Sequence, residues 1–232
     1  MHPQLQPLTG LSVAESFRLV NTRFPPVSLF DDVADPADFE ALFALQALTN
    51  PRLQTEVGNL NCVAREEIPF GIRGCSYAVA PFTHVNPDGS RFSGGDYGVL
   101  YLADSEETAI REVRHHQQRY WQGVEGLKYD RLLFRVLRCA FTAALAGDAT
   151  AIPQDDPVYD PANYTASREL GRQLREQGFA ALQYHSVRHP GGRCWALFTP
   201  RVVTDIIQAA LVEFIWQGET IGAINRLTQV RL

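Results

Sequence analysis

The chain has no apolar run long enough to cross a bilayer. Its most apolar late segment, residues 202–216, is broken by Asp205, Gln208 and Glu213, which excludes a membrane-spanning helix there. Cysteine is sparse: Cys62, Cys75, Cys139 and Cys194 lie far apart with no C-x-x-C, so neither a zinc site nor a disulfide framework is expected. Positive charge is also short. The formal net charge of −5 argues against a surface built to neutralise nucleic-acid phosphates. The opening residues MHPQLQPL lack the charged-then-apolar pattern of a secretory signal. No membrane contact and a cytoplasmic location are therefore expected. The phosphate-cradling motifs G-x-G-x-x-G and G-x-x-x-x-G-K-S/T do not occur, nor does G-x-S-x-G around a serine nucleophile. His84, His185 and His189 stand at no ligand spacing, and the adjacent His115 and His116 face different ways on a helix. No metal is expected.

At 232 residues, 45% hydrophobic and 20% charged, the chain has ample material for one large globular core. Residues 1–69 read as a mostly helical and irregular extension packed on that core. A helix over 38–48 is expected after Pro36, ended by Thr49-Asn50-Pro51. Residues 70–232 read as short strands with few helices. A helix is expected over 106–121, a strand over 132–137, and an Asp- and Pro-rich loop over 147–163. A second helix over 166–177 has Thr165 in front as cap and Gly178 behind. Strands over 180–184 and 194–198 flank a His189-Pro190-Gly191-Gly192 turn, and segments 211–216 and 220–224 would form a closing hairpin. The class is α+β, a mixed sheet with flanking helices.

Two blocks carry chemistry. In the first, Arg91 precedes a strand over 97–103 that is apolar on both faces, with Val99, Tyr101 and Ala103 on one side and Gly98, Leu100 and Leu102 on the other. Asp104 or Ser105 caps the next helix, whose stripe of Ala109, Ile110 and Val113 leaves Glu112 on its flank. A flank glutamate either overhangs a cleft or is simply solvated, and taken singly the second is commoner. The second block, Tyr184-His185-Ser186-Val187-Arg188, ends a strand just before the Gly-Gly turn. Ser186 there can bond a ligand hydroxyl, and Arg188 or Arg193 can pair with an anion.

The order of Arg, strand Tyr, helix Glu and then Ser-Val-Arg before Gly-Gly resembles the RES domain family, named for its Arg, Glu and Ser. The resemblance covers roughly residues 70–200, on SRFSGGDYGVLYLADSEETAIREV and GFAALQYHSVRHPGGRCWALFTP. The family's usual Gly-Gly-Arg-Trp-Asn reads here as Gly89-Ser90-Arg91-Phe92-Ser93. The segment with Thr49-Asn50-Pro51-Arg52-Leu53 resembles the family's longer members. The resemblance implies a fold similar to ADP-ribosyltransferase toxins and a bacterial toxin that consumes NAD+ without a metal. It also implies an Xre-like antitoxin that occludes the site. Arg91, Tyr101, Glu112 and Ser186 carry over as site residues. Glu112 would stabilise the ribosyl cation, Arg91 grip the pyrophosphate, Tyr101 stack on nicotinamide and Ser186 orient the ribose or amide, with Arg188 beside them. Water, phosphate and a side chain of a protein target remain open as acceptors of ADP-ribose. Two competing readings are a non-NAD glycosidase, which would need a second carboxylate, and a non-enzymatic α+β binding module.

Overall fold

The computed structural model describes residues 2–23 and 58–228. Seven strands form one mixed sheet: β1 (Gln6–Asn21), β2 (Leu100–Ala103), β3 (Asp130–Asp148), β4 (Ala181–His185), β5 (Arg193–Leu197), β6 (Val203–Trp216) and β7 (Ile221–Leu227). Among the described residues three α-helices accompany them: α1 (Cys75–Thr83), α2 (Glu106–Gln122) and α3 (Thr165–Glu176). The class is α+β, as expected. Strand order is β1-β2-β5-β4-β3-β6-β7, and β1 also pairs with β3. Strands β1, β2, β5, β4 and β3 therefore return on themselves, while β6 and β7 continue from β3. Among these ladders β3–β4 is parallel and the rest are antiparallel.

Each face of the sheet buries its own core. Ala103, Tyr184, Cys194 and Ala196 pack with Phe92, Ala109, Leu170 and Leu174, beneath α2, α3 and the Arg91 turn. Leu100, Leu102, Trp195 and Leu197 pack with Val79 and Phe82 of α1 on the other. Strand β2 is thus covered on both sides, which is why its residues are apolar in both alternating sets.

Local signals explain the ends of α2. Ser105 is its N-cap, accepting from the Thr108 amide at 3.1 Å, and Glu106 and Glu107 occupy the positive first turn. The 217–220 turn between β6 and β7 is closed by the Gln217 amide donating to the Thr220 carbonyl at 3.0 Å, with Gly218 at φ +90°.

Three expectations change, and a fourth cannot be compared. Residues 6–21 form a long strand rather than helix, because β1 pairs along β3 from Gln6↔Asp148 to Asn21↔Phe134. The helix expected over 38–48 lies outside the described residues. Strand β2 begins at Leu100, not 97. A Cβ on Gly98 would stand 2.2 Å from the Pro81 carbonyl oxygen, so the chain is pressed against α1 there. Tyr97 instead turns its hydroxyl to the Phe92 carbonyl at 2.6 Å. Thr165 is the first residue of α3 and not its cap. Asn163 Oδ1 accepts from both the amide and the hydroxyl of Thr165, at 3.0 and 2.8 Å.

Candidate active site

Strand β4 runs into the turn at 186–192, and α2 passes over that end. The Ser186 hydroxyl donates to Glu112 Oε1 at 2.6 Å. In turn Ser186 Oγ accepts the amides of Arg188 at 3.1 Å and His189 at 3.0 Å. Two backbone donors thus polarise one hydroxyl, which aims its proton at the carboxylate. Ser186 is buried and Glu112 half-buried. Glu112 Oε2 has no partner among the described residues and stays available to a ligand hydroxyl.

Arg91 reaches the same region from the turn before β2. Its Nη1 donates to the carbonyls of Val158 at 3.3 Å and Asp160 at 3.1 Å. The guanidinium lies over the Tyr164 ring, 4.5 Å from its centre, a favourable cation–π geometry. The side chain is 9% exposed. Its charge acts on Tyr101 and Tyr184. Tyr184 feels Glu112 as well. Burial is the main reason that its phenol stays far above its ordinary value; the Cys194 thiol and the Glu112 carboxylate add to the effect, and Arg91 opposes them.

Tyr101 is tied to the Arg91 turn. Its hydroxyl accepts the Phe92 amide at 2.9 Å and pairs with Ser90 Oγ at 2.7 Å. Its ring stacks on that of Phe92 at 6.5 Å. Burial raises its phenol to about 12 despite hydrogen bonds from Ser90 and Phe92 that favour the charged form.

Arg188 donates from Nη2 to the Pro161 carbonyl, and its Nε is buried without a partner among the described residues. The nearby His115 ring is pushed down to about 4, first by burial and then by the charges of Arg188, His116 and Arg119, with Glu112 only partly offsetting them. Arg193 is exposed, its amide held by Asp104 Oδ2 at 2.8 Å.

The structure thus brings Glu112 and Ser186 into contact and sets Arg91 and Arg188 on the 157–163 loop. Tyr101 is a neighbour of Arg91 whose hydroxyl braces the turn. Sequence reasoning missed three contributors. Tyr184 shares the strand parity of Ser186, two residues on, and that spacing alone would have placed it on the same side. Tyr164 and the carbonyls under Arg91 come from a loop with no local signal.

The RES domain family profile matches residues 68–217. The chain belongs to the RES domain family. The RES match holds Arg91, Tyr101, Glu112, Ser186 and Arg188, and leaves β1 and β7 outside. The chain is similar to the uncharacterized protein y4oC of Sinorhizobium fredii (strain NBRC 101917 / NGR234), at 28% identity over 210 residues, 90% of this chain and 86% of the relative. Among solved structures it is similar to a chain of the M. tuberculosis MbcT-MbcA toxin-antitoxin complex. The TM-score is 0.41 and the identity 14%, covering 53% of this chain and 73% of that chain. No helix among the described residues is long and apolar enough to cross a membrane.

Proposed function

We propose that this RES protein is a toxin that cleaves the nicotinamide–ribose bond of NAD+ at Glu112. The observation that carries the reading is the 2.6 Å contact from Ser186 to Glu112 Oε1. It orients a half-buried carboxylate and leaves Oε2 for the substrate. In NAD+ the pyridinium nitrogen already bears positive charge. When the C1′–N bond breaks, its electron pair returns to that nitrogen and nicotinamide departs neutral without a general acid. What needs help is the cationic ribose. A carboxylate beside C1′ stabilises that charge, and the same carboxylate can hold a ribose hydroxyl.

Arg91 supplies positive charge for the pyrophosphate through donors that the loop carbonyls leave unused. Its planar stack on Tyr164 keeps that fork in one orientation. Tyr101 holds the Phe92 amide and Ser90, so it shapes the turn beneath the nicotinamide position. Arg188 lies on the acceptor side, where water, phosphate or a protein side chain attacks C1′ and loses its proton. A DNA-binding, Xre-like antitoxin that covers the cleft keeps such an enzyme harmless to its host, and the cytoplasm is where it meets NAD+.

The test is incubation of the purified chain with NAD+ and quantitation of free nicotinamide. Release that disappears in Glu112→Gln supports the reading. A chain that binds NAD+ without releasing nicotinamide, or releases it equally in the variant, overturns it.

A further inference from the structure

The Ser186–Glu112 contact spans two elements, the turn after β4 and helix α2, and something must hold the turn at that distance. The structure assigns this task to a clamp of Asp104, Thr108 and His189 outside the contact itself. Thr108 is fully buried in the first turn of α2. Its hydroxyl lies 2.7 Å from Asp104 Oδ1 and 2.8 Å from His189 Nδ1. A carboxylate oxygen accepts only, so the single hydroxyl proton of Thr108 goes to Asp104. His189 must therefore donate through Nδ1–H, and that is the proton it carries in its neutral form. The backbone amide of this same His189 donates to Ser186 Oγ at 3.0 Å.

The path is continuous: Asp104 fixes Thr108, Thr108 seats the His189 ring, and the seated His189 presents its amide to Ser186. Asp104 also grips the far side of the turn, with Oδ2 accepting the Arg193 amide at 2.8 Å. The turn has no slack over the clamp, since a Cβ on Gly192 would stand 2.9 Å from Thr108 Oγ1. We propose that Thr108 and His189 are positioning residues that set the Ser186–Glu112 geometry in bond cleavage, an assignment that rests on the NAD+ reading above.

A misplaced Ser186 costs the transition state, where charge on ribose is greatest, more than it costs ground-state binding. Thr108→Val keeps the shape of the side chain and removes the hydroxyl. It and His189→Ala are each expected to lower kcat for nicotinamide release about tenfold, the order lost with one charge-assisted hydrogen bond, with KM within about twofold. The double variant should be no worse than either single one, because both break one path. Thr108→Ser restores the hydroxyl, and the amide of His189→Asn stands where Nδ1 stood. Both should return to within about twofold of the wild-type kcat. Unchanged kcat in Thr108→Val, or Ser and Asn variants as impaired as Val and Ala, overturns the clamp.

Crystal structures decide the matter without turnover. Opening of Ser186 Oγ from Glu112 beyond hydrogen-bond reach in Thr108→Val supports the clamp, and retention of the 2.6 Å contact overturns it. If the wild-type chain releases no nicotinamide, the NAD+ reading fails while this structural comparison still stands.

Discussion

Glu112 separates chemistry from binding. Glu112→Gln keeps the shape and can still accept from Ser186, but it removes the charge that the ribosyl cation needs. Turnover of NAD+ should fall roughly a hundredfold or more, with affinity measured by calorimetry little changed. Near-normal turnover would sink the assignment. His115, three residues on, offers a pH test. Its folded value of about 4 lies below its ordinary 6.5, so the folded state disfavours the protonated ring. The resulting stability is present above pH 6.5 and is lost as pH falls through about 4. Urea denaturation from pH 7 to pH 4 should show wild type losing stability faster than His115→Gln. Parallel curves would mean that the ring binds its proton as readily in the folded chain as in the unfolded one. Arg91→Lys loses the planar donors left over once Nη1 has bonded the Val158 and Asp160 carbonyls, and the contact with the Tyr164 ring, so NAD+ affinity should weaken markedly. An Arg91→Lys variant equal to wild type in affinity and rate would remove Arg91 from the site.

At the scale of elements, the turn bearing Arg91 is held in place by α3. Arg168 donates from Nε to the Ser90 carbonyl at 3.0 Å and from Nη2 to the Asp88 carbonyl at 2.7 Å. Gly171 lets the helix approach so closely that a Cβ there would stand 2.1 Å from the Phe92 carbonyl oxygen. A glycine inside a helix costs roughly 1 kcal/mol against alanine, and here close approach explains its presence. Gly171→Ala would gain that propensity but force α3 off Phe92, and overpacking of this kind costs about 1–3 kcal/mol. We expect a net fall in Tm of several degrees by calorimetry, together with weaker NAD+ binding through the displaced Arg91 turn. A variant as stable as wild type would show that α3 is free to shift. The clamp at the start of α2 is the counterpart for Ser186, so each of these two helices positions one turn of the site.

For the whole molecule, an unrestrained NAD+-consuming enzyme endangers its host. Expression of the chain alone should arrest growth and deplete cellular NAD+, and the Glu112→Gln variant should be harmless. Arrest by that variant too would show that toxicity is not enzymatic. Co-expression with an Xre-like antitoxin should give a stable complex with no nicotinamide release. Activity should return when the segment of the antitoxin that enters the cleft is deleted. A complex as active as the free chain would rule out occlusion. A net charge of −5 argues against direct DNA contact by this chain, so DNA binding by the complex is expected only with the antitoxin present.

What the sequence determined by itself is mostly local. The cap at Ser105, the two-faced apolar alternation of β2 and the Gly-Gly turn after β4 depend on neighbours a few residues away, and each is present, β2 over a shorter span than the pattern gives. So are α2 and the β6–β7 hairpin. The RES family was legible for the same reason, since its two blocks are contiguous segments. Tertiary structure decided everything that depends on distant partners. The strand identity of residues 6–21 comes from pairing with β3 more than a hundred residues later, where local propensity has no say. The late start of β2 comes from α1 pressing on Gly98. The contact of Ser186 with Glu112 joins residues 74 apart, and the Thr108–His189 bond joins residues 81 apart. No spacing rule reaches across such separations, because the closed run of strands from β1 to β3 and the two helices over it set them.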